Sequence, residues 1–136
     1  MICYSWEVIK EIFEIATKKH GEIVYEDNDY TITMDILSNA VHIILLYKGD
    51  MVGLLNVGKS NFHGEKYYNI RGINIEHIHR SKGYGSKMYK ALIDNAENDI
   101  KGLISKNTRR LNKKEIPKIY NNYETEETEE FIIIKI

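Results

Sequence analysis

Apolar positions recur at helical spacing at the start of the chain and then switch to strand spacing. Within residues 4–19, Trp6, Ile9, Phe13 and Ala16 fall three and four apart with Glu and Lys between them, which predicts an amphipathic helix ending before Gly21. "EIVYED" and "YTITMDIL" come next, and in the second Tyr30, Ile32, Met34 and Ile36 alternate with polar residues, as a half-buried strand requires. "AVHIILLY" and "MVGLLNVG" are β-rich runs joined by "KGD", a short hairpin signal. After a polar link, "KSNFHGE", the run "KYYNIRGINIEHI" alternates again, and its period slips near Gly72 as a β-bulge would make it slip. From Tyr84 the spacing returns to helix, with Met88, Ala91, Leu92, Asn95 and Ala96 on one face. "KGLISK" reads as a short strand and "EEFIIIKI" as the last one. Between them "NKKEIPKIYNNY" reads as a helix with Asn112 and Glu115 at capping-box spacing, kinked or split at Pro117. The acidic "ETEETEE" is expected as a solvated loop or strand edge. The order predicts one domain over residues 1–136, of mixed α/β class and α+β type. An antiparallel meander comes first, then strand, Gly-rich turn, helix, strand, helix, strand.

Two Gly-rich stretches compete for a phosphate. "GLLNVGKS", residues 53–60, fits the G-x-x-x-x-G-K-[ST] pattern, but a phosphate-cradling loop of that kind must leave a strand and open a helix. Ser60 is succeeded by another Gly and a β-alternating run, and Leu54, Leu55 and Val57 suit a buried strand. "RSKGYG", residues 80–85, meets both conditions: "GINIEHI" precedes it as a strand and "YGSKMYKALIDNAEN" continues from it as a helix. Gly83 and Gly85 permit close approach to the backbone, and either can take a positive φ. The amides of this turn and the helix dipole then favour an anion, helped by Arg80, Lys82 and Lys87 and by the hydroxyls of Ser81 and Ser86.

Composition narrows the partners. A net charge of −1 over 136 residues gives no general case for nucleic acid or an anionic membrane, so phosphate recognition must be local. Cys3 is the sole cysteine; it allows no intrachain disulfide, fits a cytoplasmic protein, and has no local motif that would make it a nucleophile. The N-terminus lacks a basic n-region and an uninterrupted apolar core, and the apolar runs are too short to span a bilayer. "EHIH", with Glu76, His77 and His79, has a metal-binding flavour, but the expectation is no metal. The ten tyrosines, Tyr30 and Tyr47 among them, mostly fall in β patterns where aromatics are favoured. A monomer or homodimer is expected.

The run Arg80-Ser81-Lys82-Gly83-Tyr84-Gly85, preceded by Ile73-Asn74-Ile75 on a strand, resembles the [QR]-x-x-G-x-[GA] motif of the GNAT acyl-CoA N-acyltransferases, and the resemblance spans about residues 40–136. It implies a central, mostly antiparallel, twisted sheet with flanking helices, in which a splayed strand pair receives coenzyme A. It implies a loop from Arg80 to Ser86 around the pyrophosphate, with Ile73, Asn74 and Ile75 offering backbone groups to the pantetheine. Asn107 resembles the asparagine that faces the cofactor after the next strand. Tyr120 stands at the tyrosine that protonates the departing thiolate in the family's A-x-x-x-Y-x-x-x-G-F segment, whose Gly-Phe is missing here. The implied activity is transfer of an acetyl group from acetyl-CoA to a primary amine by direct attack. Some family members carry a Glu base where this chain has Asn69, so no carboxylate base is carried over. A non-catalytic acyl-CoA-binding or regulatory module on the same fold is the alternative, and a P-loop nucleotidase the third reading, which requires a helix after Ser60.

Overall fold

The computed structural model describes residues 7–8, 21–106 and 121–136. Glu7 and Val8 are helical; the rest of the expected first helix, and most of the helix expected around Pro117, lie outside the described residues.

Among the described residues the chain forms eight strands in one sheet and one α-helix. The strands are β1 (Glu22–Glu26), β2 (Tyr30–Ile36), β3 (Ala40–Tyr47), β4 (Asp50–Phe62), β5 (Glu65–Ile75), β6 (Ile100–Lys106), β7 (Glu124–Glu127) and β8 (Phe131–Lys135). The helix, α1, is Tyr84–Asp94, between β5 and β6. The sheet order is β1-β2-β3-β4-β5-β6-β8-β7. Each neighbouring pair is antiparallel except β5 and β6, which run parallel. A parallel pair needs a crossover, and α1 supplies it.

The meander is built from the turns its sequence allows. At Lys48-Gly49 and at His63-Gly64 both residues have positive φ, with Tyr47 opposite Asp50 and Phe62 opposite Glu65. These are two-residue turns whose twist matches the strands they join. The second corrects an expectation: "KSNF" is not a polar link but the far end of β4, and only His63-Gly64 turns. Polar residues continue a strand wherever a partner keeps supplying the ladder, and here β5 pairs with β4 through Phe62.

The sheet buries both faces. On one, Tyr30, Ile32 and Met34 of β2, Ile43 and Leu45 of β3, Leu55 and Val57 of β4 and Tyr68 of β5 join Met88, Tyr89, Ala91 and Leu92 of α1 in a single cluster. Met88 and Leu92, four apart on one helix face, are fully buried, and burial of such a side chain contributes about 1.5–3 kcal/mol. The helix ends where Asn95 donates its side-chain amide to the Ala91 carbonyl at 2.9 Å. The opposite face carries a cluster of Ile44, Leu46, Met51 and Leu54, and another of Tyr67, Ile104 and Ile133. The acidic stretch is the exposed edge strand β7, whose charges discourage further pairing. No helix among the described residues is long and apolar enough to cross a membrane.

Candidate functional site

The site begins with the bulge. Asn56 lies opposite Gly72 but Val57 lies opposite Ile70, so Arg71 is the extra residue on β5. This is the slip visible in the sequence near Gly72. Up to that point β5 is also paired with β6, from Lys66 opposite Ile100 to Ile70 opposite Ser105. Beyond it the described pairing between the two strands stops, while β5 stays on β4 as far as Ile75. A bulge bends and twists the strand that carries it, so β5 changes course just where its described pairing with β6 ends.

The ladder decides which backbone groups of β5 face away from β4. Glu76 donates its N–H to the Val52 carbonyl at 2.8 Å. Successive residues of an antiparallel strand turn these groups to opposite sides, so Asn74 and Gly72 also face β4, whereas Ile73 and Ile75 face the other edge. Arg80 confirms the direction, since its Nε donates to the Ile75 carbonyl at 2.6 Å. The Ile73 N–H and carbonyl and the Ile75 N–H remain on that edge. Of the three strand residues expected at the pantetheine, Ile73 and Ile75 present backbone there and exposed Asn74 presents none.

From Ile75 the chain passes through a 3-10 turn, His77–His79, into the Gly-rich loop. Ser81 and Gly83 have φ of 61° and 85°, and Gly83 is the N-cap of α1. The first helical bond runs from the Lys87 N–H to the Gly83 carbonyl. The N–H groups from Ser81 to Ser86 have no acceptor among the described residues. They are the orphan donors of a helix start together with the loop before it, which is the geometry that receives an anion. Ser81, Lys82, Ser86 and Lys87 are exposed here. Gly85 is helical and sits over the outward strand residues: a Cβ on it would lie 3.7 Å from the Cδ1 atoms of Ile73 and Ile75. The structure thus brings Ile73, Ile75 and the loop from Arg80 to Ser86 to one edge. Asn107 and Tyr120 lie outside the described residues, as does Cys3.

Tyr84 reaches beyond the loop with its side chain. Its hydroxyl donates to Asp27 Oδ2 at 2.7 Å, and its ring stacks on Tyr30 with centroids 3.9 Å apart. It serves the loop through its backbone N–H, while its side chain grips the turn between β1 and β2. Asp27 also accepts the N–H groups of Tyr30 and Asp29 and the hydroxyl of Tyr25. The bond from Tyr84, then that from the Tyr30 backbone, hold its carboxyl down at about 2. The Tyr84 phenol is pushed above its usual range, first by donating to Asp27. His79 of "EHIH" is buried and hydrogen-bonds the Tyr30 hydroxyl through Nδ1 at 2.7 Å. No group of three or more His, Cys, Asp or Glu among the described residues is placed to hold a metal.

A polar row on the sheet face away from α1 escaped the sequence reading. Asp35 is opposite His42, His42 opposite Asn56, and Asn56 opposite Gly72 at the bulge. The Arg71 guanidinium lies where a Cβ on Gly58 would stand, 2.6 Å from that point. Burial is the main cause that lowers the pKa of half-buried His42, against the pull of Asp35. Only the pairing register could have revealed this row, because its members come from different strands.

The competing stretch, residues 53–60, lies wholly within β4. Its lysine, Lys59, pairs with Glu97 at 2.6 Å in a cleft of about 530 Å³ lined also by Ile36, Leu37, Lys66 and Asp99. No helix comes after Ser60 before β5 begins, so the nucleotidase reading falls.

No curated protein matches the chain. The model of the acetyltransferase (GNAT) family matches residues 6–117, a span that takes in the meander, the bulged strand, the parallel strand pair and the Gly-rich loop. That family carries out acyl-CoA-dependent acetyl transfer with acetyl-CoA as cosubstrate, and with most of its length inside the match the chain belongs to the GNAT acetyltransferase family.

Proposed function

We propose that this protein transfers an acetyl group from acetyl-CoA to a primary amine by direct attack within a ternary complex. The observation that supports it most is the row of N–H groups from Ser81 to Ser86 that lack acceptors among the described residues, reached directly from the Ile73 and Ile75 backbone groups that face away from β4. The residues fit coenzyme A. Strand groups that face away from β4 suit the amides of pantetheine, and amides at the start of α1 suit a diphosphate, flanked by Lys82 and Lys87. When bound, the cosubstrate supplies an activated acyl thioester. The chain's part is to align it along β5 and to polarise its carbonyl with a strand-edge amide near Ile75.

An amine with a lysine-like pKa of about 10.4 must shed a proton before it attacks. Water takes that proton, or a group on the polar face does, where burial favours the neutral form of His42. Tyr120 is assigned to protonate the leaving thiolate and Asn107 to face the cofactor. The acceptor's identity is open among protein lysines, N-termini, polyamines and aminated small molecules.

Calorimetry with acetyl-CoA beside ATP–Mg²⁺, then turnover across amine classes, tests the reading. Acetyl-CoA should bind and ATP–Mg²⁺ should not. Binding without turnover of any amine would favour the non-catalytic module. With an acceptor in hand, Tyr120→Phe should lower kcat by about 100-fold or more with little change in coenzyme A affinity, and Tyr123→Phe should be nearly silent. Equal activity in wild type and Tyr120→Phe would remove Tyr120 from the mechanism.

A further inference from the structure

The Gly-rich loop carries two residues in the left-handed region, Ser81 and Gly83, and its N–H groups from Ser81 to Ser86 lack acceptors among the described residues. A surface segment of this kind gains nothing from its own hydrogen bonds and would sample many shapes. It is held from outside instead. Tyr84, between the two glycines, donates to Asp27 at 2.7 Å. On the N-terminal side of the loop, buried His79 bonds the Tyr30 hydroxyl at 2.7 Å. Tyr30 also stacks on Tyr84 at 3.9 Å, so one side chain touches both flanks of the loop. Asp27 is itself fixed, because Oδ1 accepts the N–H groups of Asp29 and Tyr30 while Oδ2 accepts the hydroxyls of Tyr84 and Tyr25. Lys87, in the first turn of α1, lies with its Nζ 4.9 Å from the centre of the Tyr25 ring. The turn between β1 and β2 is distant in sequence from the loop, and nothing in the coenzyme motif names it.

We propose that this turn is a working part of the coenzyme site, with Asp27 and Tyr30 as positioning residues that grip Tyr84 and His79 and so hold the loop from Arg80 to Ser86 in its anion-binding shape before ligand arrives. The proposal rests on the coenzyme A reading above and deepens it. The clamp acts on the diphosphate and not on the reacting end of the cosubstrate. An ordered loop loses less conformational freedom on binding, so affinity is gained without a new contact to the ligand. Asp27 brings a negative charge close to an anion site, and its acceptor capacity is taken up by two phenols and two backbone N–H groups.

Three variants test it: Asp27→Ala, Tyr84→Phe, which keeps the ring stack and loses the donor, and Asp27→Asn, which keeps an acceptor oxygen. Deuterium exchange of the hydrogen-bonded amides that close the two ends of the loop, those of His79, Arg80 and Lys87, measured without ligand, should speed up about tenfold in the first two. The β3 and β4 amides should exchange as in wild type. The Kd for coenzyme A should rise by a similar factor and kcat at saturating acetyl-CoA should hold. Affinity for S-acetylpantetheine, which lacks the diphosphate, should not change, and Asp27→Asn should restore much of the loss. Unchanged loop exchange overturns the clamp. Faster loop exchange with unchanged coenzyme A affinity overturns its role in binding. Equal losses for both ligands, accompanied by a lower Tm, reduce Asp27 to a fold-stabilising residue and overturn the proposal as well. If wild type binds no coenzyme A, the acetyltransferase reading fails, and loop exchange still decides whether the clamp exists.

Discussion

The stretches 53–60 and 80–85 are both glycine-rich, both are tied to a strand-like run and both contain a lysine, yet they do unrelated work. In the first, the glycines serve packing: Gly58 leaves the space that the Arg71 guanidinium occupies, and residues 53–60 remain extended through β4. In the second, glycine serves conformation: Gly83 takes a φ of 85° and caps an eleven-residue helix. Lys59 is spent on Glu97 at 2.6 Å, whereas Lys82 is exposed beside donors that lack acceptors among the described residues. A pattern of residue types marks a phosphate loop only when the backbone leaves donors unsatisfied, and that depends on whether a helix or a strand comes after the pattern.

The largest effect expected from this contrast is that of Gly85→Glu. It places bulk and negative charge at the start of α1, against the dipole and the orphan amides, and should abolish coenzyme A binding by calorimetry, a loss of at least about 100-fold. Retained binding would show that the loop is not the site.

A finer pair separates the two loop glycines. Gly83→Ala forces an L-residue into the left-handed region at a cost of about 1–2 kcal/mol, so Kd should rise about tenfold or Tm should fall. Gly85→Ala should be close to neutral, because its Cβ would meet Ile73 and Ile75 at an ordinary 3.7 Å. The reverse order of effects would mean that Gly85 is the residue in intimate contact with ligand.

Smaller still is Lys59→Ala. It breaks a partly exposed ion pair worth about 0.2–1 kcal/mol and should lower Tm slightly while coenzyme A affinity stays put. Any loss of affinity would reopen the case for residues 53–60.

The smallest effect is electrostatic. The Asp27 carboxyl is depressed to about 2, first by Tyr84 and then by the Tyr30 N–H. Because the folded value lies below the unfolded one of about 3.9, the stabilisation is fully present above that pH and is lost as pH falls through the folded value. The protection of the His79, Arg80 and Lys87 amides, taken as observed exchange against the intrinsic rate at each pH, should therefore fall on acidification towards about pH 2 in wild type, with a smaller acid response in Asp27→Asn. An identical acid response in both would place the sensitivity elsewhere.

The sequence by itself determined most of the strand content, because alternation forces a strand to place one set of side chains on the buried face. Ile32 and Met34 could not do this as helix. It also determined the bulge at Gly72, the start of α1 and which of the two glycine-rich stretches opens a helix, each set by local backbone chemistry. It misjudged the end of β4, where "KSNF" looks like a loop in isolation and is a strand because β5 runs beside it. Tertiary structure alone decided the rest. The parallel pairing of β5 with β6 joins strands separated by a helix. Asp27 and Tyr84 are 57 residues apart, and Tyr30 and His79 are 49 apart. The row of Asp35, His42 and Asn56 exists only through register. Residues that meet across a sheet leave no common spacing in the chain, since each obeys only the period of its own strand.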